Sequence, residues 1–192
     1  MKMCDKKIQI IFPGVGYHCD KPLLYYGRRV AQEAGYGEYI NISYSCPVDR
    51  IRGDEAKMKA AFEAMYSQAE EQLKDIPWDE YDHILYVSKS IGTAIAAMYA
   101  AKHMNRPVKQ LLYTPLVETF NPFEGKKDID AMAFIGTKDP WSDVSKVVDR
   151  AKELGIPIHI YEGANHSLET DDTLSNLQTI KDVMDKSRKY LQ

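Results

Sequence analysis

The sequence predicts an α/β fold, a mostly parallel sheet of about six strands with helices on both faces. Short apolar runs alternate with segments of helical periodicity from one end of the 192 residues to the other. Several of the runs are continuously apolar, as strands covered on both faces are. Right-handed crossovers then place a helix between successive strands. No repeat, linker or low-complexity tract divides the chain, so residues 1–192 are expected to form one domain.

The first strand is expected at 8–12, running into Pro13-Gly14-Val15-Gly16-Tyr17. Two glycines after a strand suggest a dinucleotide site, but Cys19 stands where the third glycine is needed, and no acidic residue closes the next strand. A helix follows over 22–34, with Pro22 tolerated in its first turn and Leu23, Tyr26, Val30 and Ala34 on one face. Gly35 and Gly37 end it before a second strand at 39–44 and a loop carrying Cys46-Pro47. Asp54 can cap the next helix, whose stripe is Met58, Phe62, Met65, Ala69 and Leu73. The third strand, 84–87, turns through Ser88-Lys89-Ser90-Ile91-Gly92-Thr93 into a helix reaching about His103, a capping or surface histidine. Val108 opens the fourth strand, to Tyr113. Residues 114–130 lack helical periodicity and read as loop or flap. The fifth strand, 131–135, ends at Gly136-Thr137-Lys138-Asp139-Pro140-Trp141, and a helix bearing Val144, Val147, Val148, Ala151 and Leu154 follows. The sixth strand is 158–161. The last helix should bury Leu174, Leu177, Ile180 and Met184.

Composition narrows the function. A hydrophobic fraction of 44% and a charged fraction of 28% are ordinary for a globular protein, and a net charge of −3 supplies no basic field for nucleic acid or an anionic membrane. The first apolar stretch is too short for a signal-peptide core and no run approaches a membrane span, so a cytoplasmic location is expected. Cys4, Cys19 and Cys46 are odd in number and lack C-x-x-C spacing, which predicts free thiols rather than disulfides or a zinc site.

The chemistry lies at the strand ends. In a parallel sheet, ligands bind outside the carboxyl ends of the strands, and Ser90, Asp139 and His166 each follow a strand. Ser90 sits in a small-x-Ser-x-Gly turn, where packing of strand against helix demands small residues two positions either side. Ser88 and Gly92 meet that demand. Asp139 before Pro140 could instead initiate a turn, Asp143 could be the acid or a helix cap, and His166 could be a loop residue; Asp139 is the preferred acid.

The turn resembles the nucleophile elbow of the α/β-hydrolase family, with Ser88 replacing the first glycine, and the chain order Ser, Asp, His is that of the family's triad. Gly136-Thr137-Lys138-Asp139 and the loop Gly163-Ala164-Asn165-His166-Ser167-Leu168 are similar to the family's acid and histidine loops. The likeness spans residues 8 to about 190 and fits a trimmed, cap-less, six-stranded version, like dienelactone-hydrolase-like and esterase members. It implies Ser90 as nucleophile, His166 as base and then acid, and Asp139 as the residue that orients the imidazole. Backbone N–H groups of Val15 and Ile91 would form the oxyanion hole, although Pro13-Gly14 replaces the common His-Gly.

Residues 114–130 are too short for a cap domain, so an open cleft walled by Tyr17, Phe120, Phe123 and Trp141 is expected, with His18 near substrate. Lys89 is expected to face solvent at its mouth, where its charge would favour an anionic substrate. His83 and His159 are read as structural. The resulting expectation is a serine hydrolase acting on a small ester or thioester without metal or organic cofactor. An acyltransferase using the same triad, or a binding protein retaining the fold, is the alternative, and oligomeric state is left open.

Overall fold

A computed structural model describes residues 5–192; Cys4 lies outside the described residues. Six parallel strands form one sheet: β1 (Lys7–Phe12), β2 (Glu38–Asn41), β3 (His83–Lys89), β4 (Lys109–Tyr113), β5 (Ala131–Gly136) and β6 (Ile158–Tyr161), in the order β2-β1-β3-β4-β5-β6. The helices are α1 (Pro22–Glu33), α2 (Glu55–Leu73), α3 (Ile91–His103), α4 (Val144–Glu153) and α5 (Thr173–Leu191). After β1 the chain moves outward to β2, and after β3 it moves the other way to β4. The strand order therefore reverses between β1 and β3, and a crevice opens outside their carboxyl ends.

The pleat sorts the core into two faces. Ile11, Leu85, Val87, Leu111, Tyr113 and Phe134 turn toward α1 and α5, while Ile10, Phe12, Tyr86, Leu112 and Ile135 turn toward α2, α3 and α4. Asp54, Asp143 and Asp172 start α2, α4 and α5 by accepting the backbone N–H three residues on, relieving amides that a helix start leaves unpaired.

Several expectations shift. Strand β2 ends at Asn41, three residues earlier than the sequence suggests, because side chains of α2 take over the backbone bonding: Gln72 pairs with both backbone groups of Ser43, and Gln68 with both of Ser45. Helix α1 is rotated from the expected face. It buries Leu23, Leu24, Gly27, Arg28 and Ala31, while Tyr26 is exposed. Gly27 sets that rotation, since a Cβ there would stand 2.9 Å from the Tyr113 hydroxyl. In α5 the first two stripe residues are not buried at all: Leu174 and Leu177 are 70% and 62% exposed, and the buried set is Val183, Met184, Ser187 and Leu191.

Residues 114–130 are not a flap. A 3₁₀ turn, Val117–Phe123, folds them inward, and Phe120 and Phe123 are buried among Leu112, Ala133, Ile135 and Val147. His103 bridges helices rather than only capping one: its Nε2 lies 2.8 Å from Glu70 and 3.3 Å from the Tyr66 hydroxyl, and its ring stacks on Tyr99. No helix among the described residues is long and apolar enough to cross a membrane.

Candidate active site

Four loops meet at the carboxyl edge around the reversal point. The first is the turn after β1. Gly14 and Tyr17 exchange backbone bonds of 3.2 and 3.1 Å, and Gly16 takes φ +67°, which favours glycine. Val15 stands at the tip. A Cβ on Gly14 would lie 3.0 Å from Ser90 Cβ, so only glycine lets this turn lean on the serine without a shift. The Tyr44 hydroxyl donates to the Pro13 carbonyl and pins the turn from behind.

The second loop is the elbow. Ser90 has φ 57° and ψ −131°, a conformation that L-residues rarely adopt and that costs about 1–3 kcal/mol. Its N–H donates to the Tyr113 carbonyl and its carbonyl accepts from the Thr93 hydroxyl, which contacts the Thr119 hydroxyl at 2.6 Å. The inward-folded 114–130 segment thus braces the elbow. Gly92 is obligatory, because a Cβ would meet the Phe12 carbonyl oxygen at 2.4 Å. Ser88 has a role of its own: fully buried, it donates to the Leu111 carbonyl on β4 at 3.0 Å. That bond satisfies a hydroxyl where a glycine would carry none.

The third element is a pair of loops, after β5 and β6, joined to each other. Thr137 N–H donates to Tyr161, Lys138 N–H to Ala164, and Gly163 N–H to the Thr137 hydroxyl at 2.8 Å. Asn165 braces the second loop by accepting from the Ser167 and Glu169 amides. This frame puts His166 Nδ1 2.7 Å from Asp139 Oδ2. The Asp139 side chain is wholly buried, and its other oxygen accepts from Trp141 N–H at 2.9 Å. An ionised carboxylate only accepts hydrogen bonds, so the imidazole proton belongs on Nδ1 and Nε2 is left with its lone pair. Nε2 is buried without a hydrogen-bond partner among the described residues. Burial lowers the His166 pKa against the raising effect of the Asp139 hydrogen bond, and the nearby Lys89 charge lowers it further. Asp143 takes no part here. It caps α4 and binds Ser145.

Ser90 and His166 line one cavity of about 300 Å³, together with Val15, Ile91, Tyr17, Lys21, Lys89, Ile51, Met58 and Trp141. The Trp141 ring lies 5.7 Å from the His166 ring. A larger concavity, about 910 Å³, lies on the α2–α3 flank beside Trp78, Tyr99 and His103, away from these strand ends. Of the residues expected as walls, Tyr17 and Trp141 line this cavity. Phe120 and Phe123 are core residues, and His18 is exposed outside the cavity.

Lys89 is the largest departure. Expected at the solvent-facing mouth, it is 2% exposed, with Nζ 4.6 Å from the centre of the Tyr17 ring. The signal was present in the sequence: alternation along β3 puts residue 89 on the face of Leu85 and Val87. Lys21, Ile51 and Met58 also went unrecognised as wall residues. They lie after β1 and β2, whose carboxyl ends share the crevice. Among the described residues, no three His, Cys, Asp or Glu side chains gather as a metal-ligand set.

No protein-family model matches the sequence, and a search of curated proteins returns no match. Solved structures do match. An esterase from Pyrococcus furiosus superposes with a TM-score of 0.66 at 12% identity, over 97% of this chain and 83% of that one. An alpha-beta serine hydrolase homologue from Coxiella burnetii gives 0.62 at 14% identity, over 100% and 88% of the two chains. A serine hydrolase without lid from Xanthomonas campestris gives 0.56 at 13%, over 98% and 84%. The chain has the α/β-hydrolase fold, and the described residues include no cap domain.

Proposed function

We propose that the protein is a serine hydrolase that cleaves a carboxylic ester or thioester through an acyl-enzyme. The observation that carries this reading is the orphaned Nε2 of His166. It is buried, without a hydrogen-bond partner among the described residues, on a side chain that lines the same cavity as Ser90, and the ring's other nitrogen is fixed by a buried carboxylate. A buried polar atom without a partner is costly, and a functional role accounts for its presence; an imidazole acceptor lining one cavity with a strained serine supplies the groups that general-base activation needs.

The mechanism follows from these placements. Nε2 takes the Ser90 proton as Oγ attacks the carbonyl carbon, while Asp139 holds the tautomer and stabilises the imidazolium. The oxyanion would be met by the backbone amides of Ile91, the first residue of α3, and Val15 at the turn tip. An amide in the first turn of a helix has no acceptor within it, and both residues line the cavity. The imidazolium then protonates the leaving group, and water repeats the sequence on the acyl-enzyme. The two described cysteines, Cys19 and Cys46, are free thiols, in keeping with a cytoplasmic setting.

A fluorophosphonate probe tests the proposal. Labelling of the native protein that disappears in Ser90→Ala is the expected result; a native protein that stays unlabelled would overturn it.

A further inference from the structure

Two lysine amino groups and, among the described residues, no carboxylate line the cavity. Lys89 and Lys21 both line it, with Nζ atoms 4.6 and 5.3 Å from the centre of the same Tyr17 ring. No aspartate or glutamate lines it, and the ion pairs among the described residues include neither lysine. The acids that act on Lys89 are Asp139, already bonded to His166 and the Trp141 amide, and Glu169, which is felt only through its charge. Tyr17 offers no negative charge: its hydroxyl accepts from Leu23 N–H, and burial pushes its pKa up to about 12. Burial pushes the Lys89 pKa down to about 7.

An ammonium on a residue only 2% exposed, with no carboxylate paired to it among the described residues, is poorly solvated, and an arriving anion relieves it. Ile51, Met58, Val15, Pro140 and Trp141 supply apolar and aromatic wall, and Asn165 and Ser167 add uncharged polar groups. A cavity of about 300 Å³ has room for a short chain. We propose that Lys89, assisted by Lys21, is the substrate-recognition group of this site and binds a carboxylate, so that the preferred substrates are short acyl esters or thioesters bearing a second, free carboxylate. The scissile bond in this statement rests on the hydrolase reading; the anion site does not. Charge-assisted bonds to a buried ammonium favour the anionic ligand over a neutral one of equal length by about 10- to 100-fold.

The test measures binding, so that it stands apart from turnover. Ser90→Ala protein is titrated by NMR with monomethyl glutarate and, separately, with dimethyl glutarate, near neutral pH. The monoanion is expected to bind about 10- to 100-fold more tightly, and the advantage is expected to vanish in Ser90→Ala/Lys89→Met and to shrink in Ser90→Ala/Lys21→Met. It should also fall as the pH is raised and Lys89 gives up its proton. Equal binding of the two esters by Ser90→Ala protein overturns the proposal and needs no Lys89 variant. Selectivity that survives Lys89→Met overturns the assignment to Lys89. Selective binding by a protein that no fluorophosphonate labels would sink the hydrolase reading and leave the anion site standing.

Discussion

Asp139→Asn is expected to lower kcat about 10⁴-fold on any ester that turns over. The asparagine would keep the shape, but its amide can donate to Nδ1, pulling the imidazole proton to Nε2 and removing the lone pair that must accept the Ser90 proton. Asp143→Asn is the matched control. Asn caps a helix as well as Asp does, so both kcat and melting temperature are expected to hold. Steady-state rates on one ester for the two variants decide which acid is used. The pH dependence carries a second check on the same geometry. In the proposed mechanism the neutral imidazole is the working form, and burial together with Lys89 lowers its pKa, so kcat/KM should persist on the acid side to a pH below the ordinary imidazole value. Lys89→Met removes a positive neighbour, and the acid limb should move to higher pH.

Gly136→Ala is expected to cost both stability and rate. A Cβ at residue 136 would lie 2.1 Å from the Ala164 carbonyl oxygen and 2.8 Å from that of Asn165, atoms of backbone that cannot turn aside as a side chain does. Strand β5 and the histidine loop must part. Overpacking of this kind costs about 1–3 kcal/mol, and because the loop carries His166, a displacement near 1 Å should lower kcat about 10²-fold. Gly37→Ala, where nothing lies within 4 Å of the added Cβ, should change neither. Thermal melts and kcat measured on both variants check the pair.

The residues that carry these predictions were legible in the sequence because the fold does the arranging. Once strands and helices alternate, the carboxyl ends of β3, β5 and β6 must share an edge, and Ser90, Asp139 and His166 follow those ends. What was less legible depends on depth and rotation. Ser88 looked like a weakened elbow glycine, and only its partner on the neighbouring strand, the Leu111 carbonyl, shows why a serine serves. Lys89 looked like a surface charge, although the pleat had already assigned it to the Leu85–Val87 face. Phe120 and Phe123 were assigned to the cleft because their segment has no helical period; a 3₁₀ turn has none of that period to show, and the segment packs inward beneath the elbow. In α5, Leu174 and Leu177 continue the apolar spacing of a helix whose buried contacts come from Val183 onward. Periodicity marks a face, not how far along the helix a partner lies.

The central claim is that three strand ends bring a nucleophile, its base and an oxyanion site together in one cavity. A crystal structure of the protein after reaction with a small fluorophosphonate tests it most directly. The account predicts phosphorus bonded to Ser90 Oγ, the phosphoryl oxygen about 3 Å from the amides of Val15 and Ile91, and His166 Nε2 hydrogen-bonded to an oxygen at the same centre with Asp139 still on Nδ1. An adduct on another residue, or one on Ser90 with the phosphoryl oxygen turned to solvent and His166 out of reach, would contradict it.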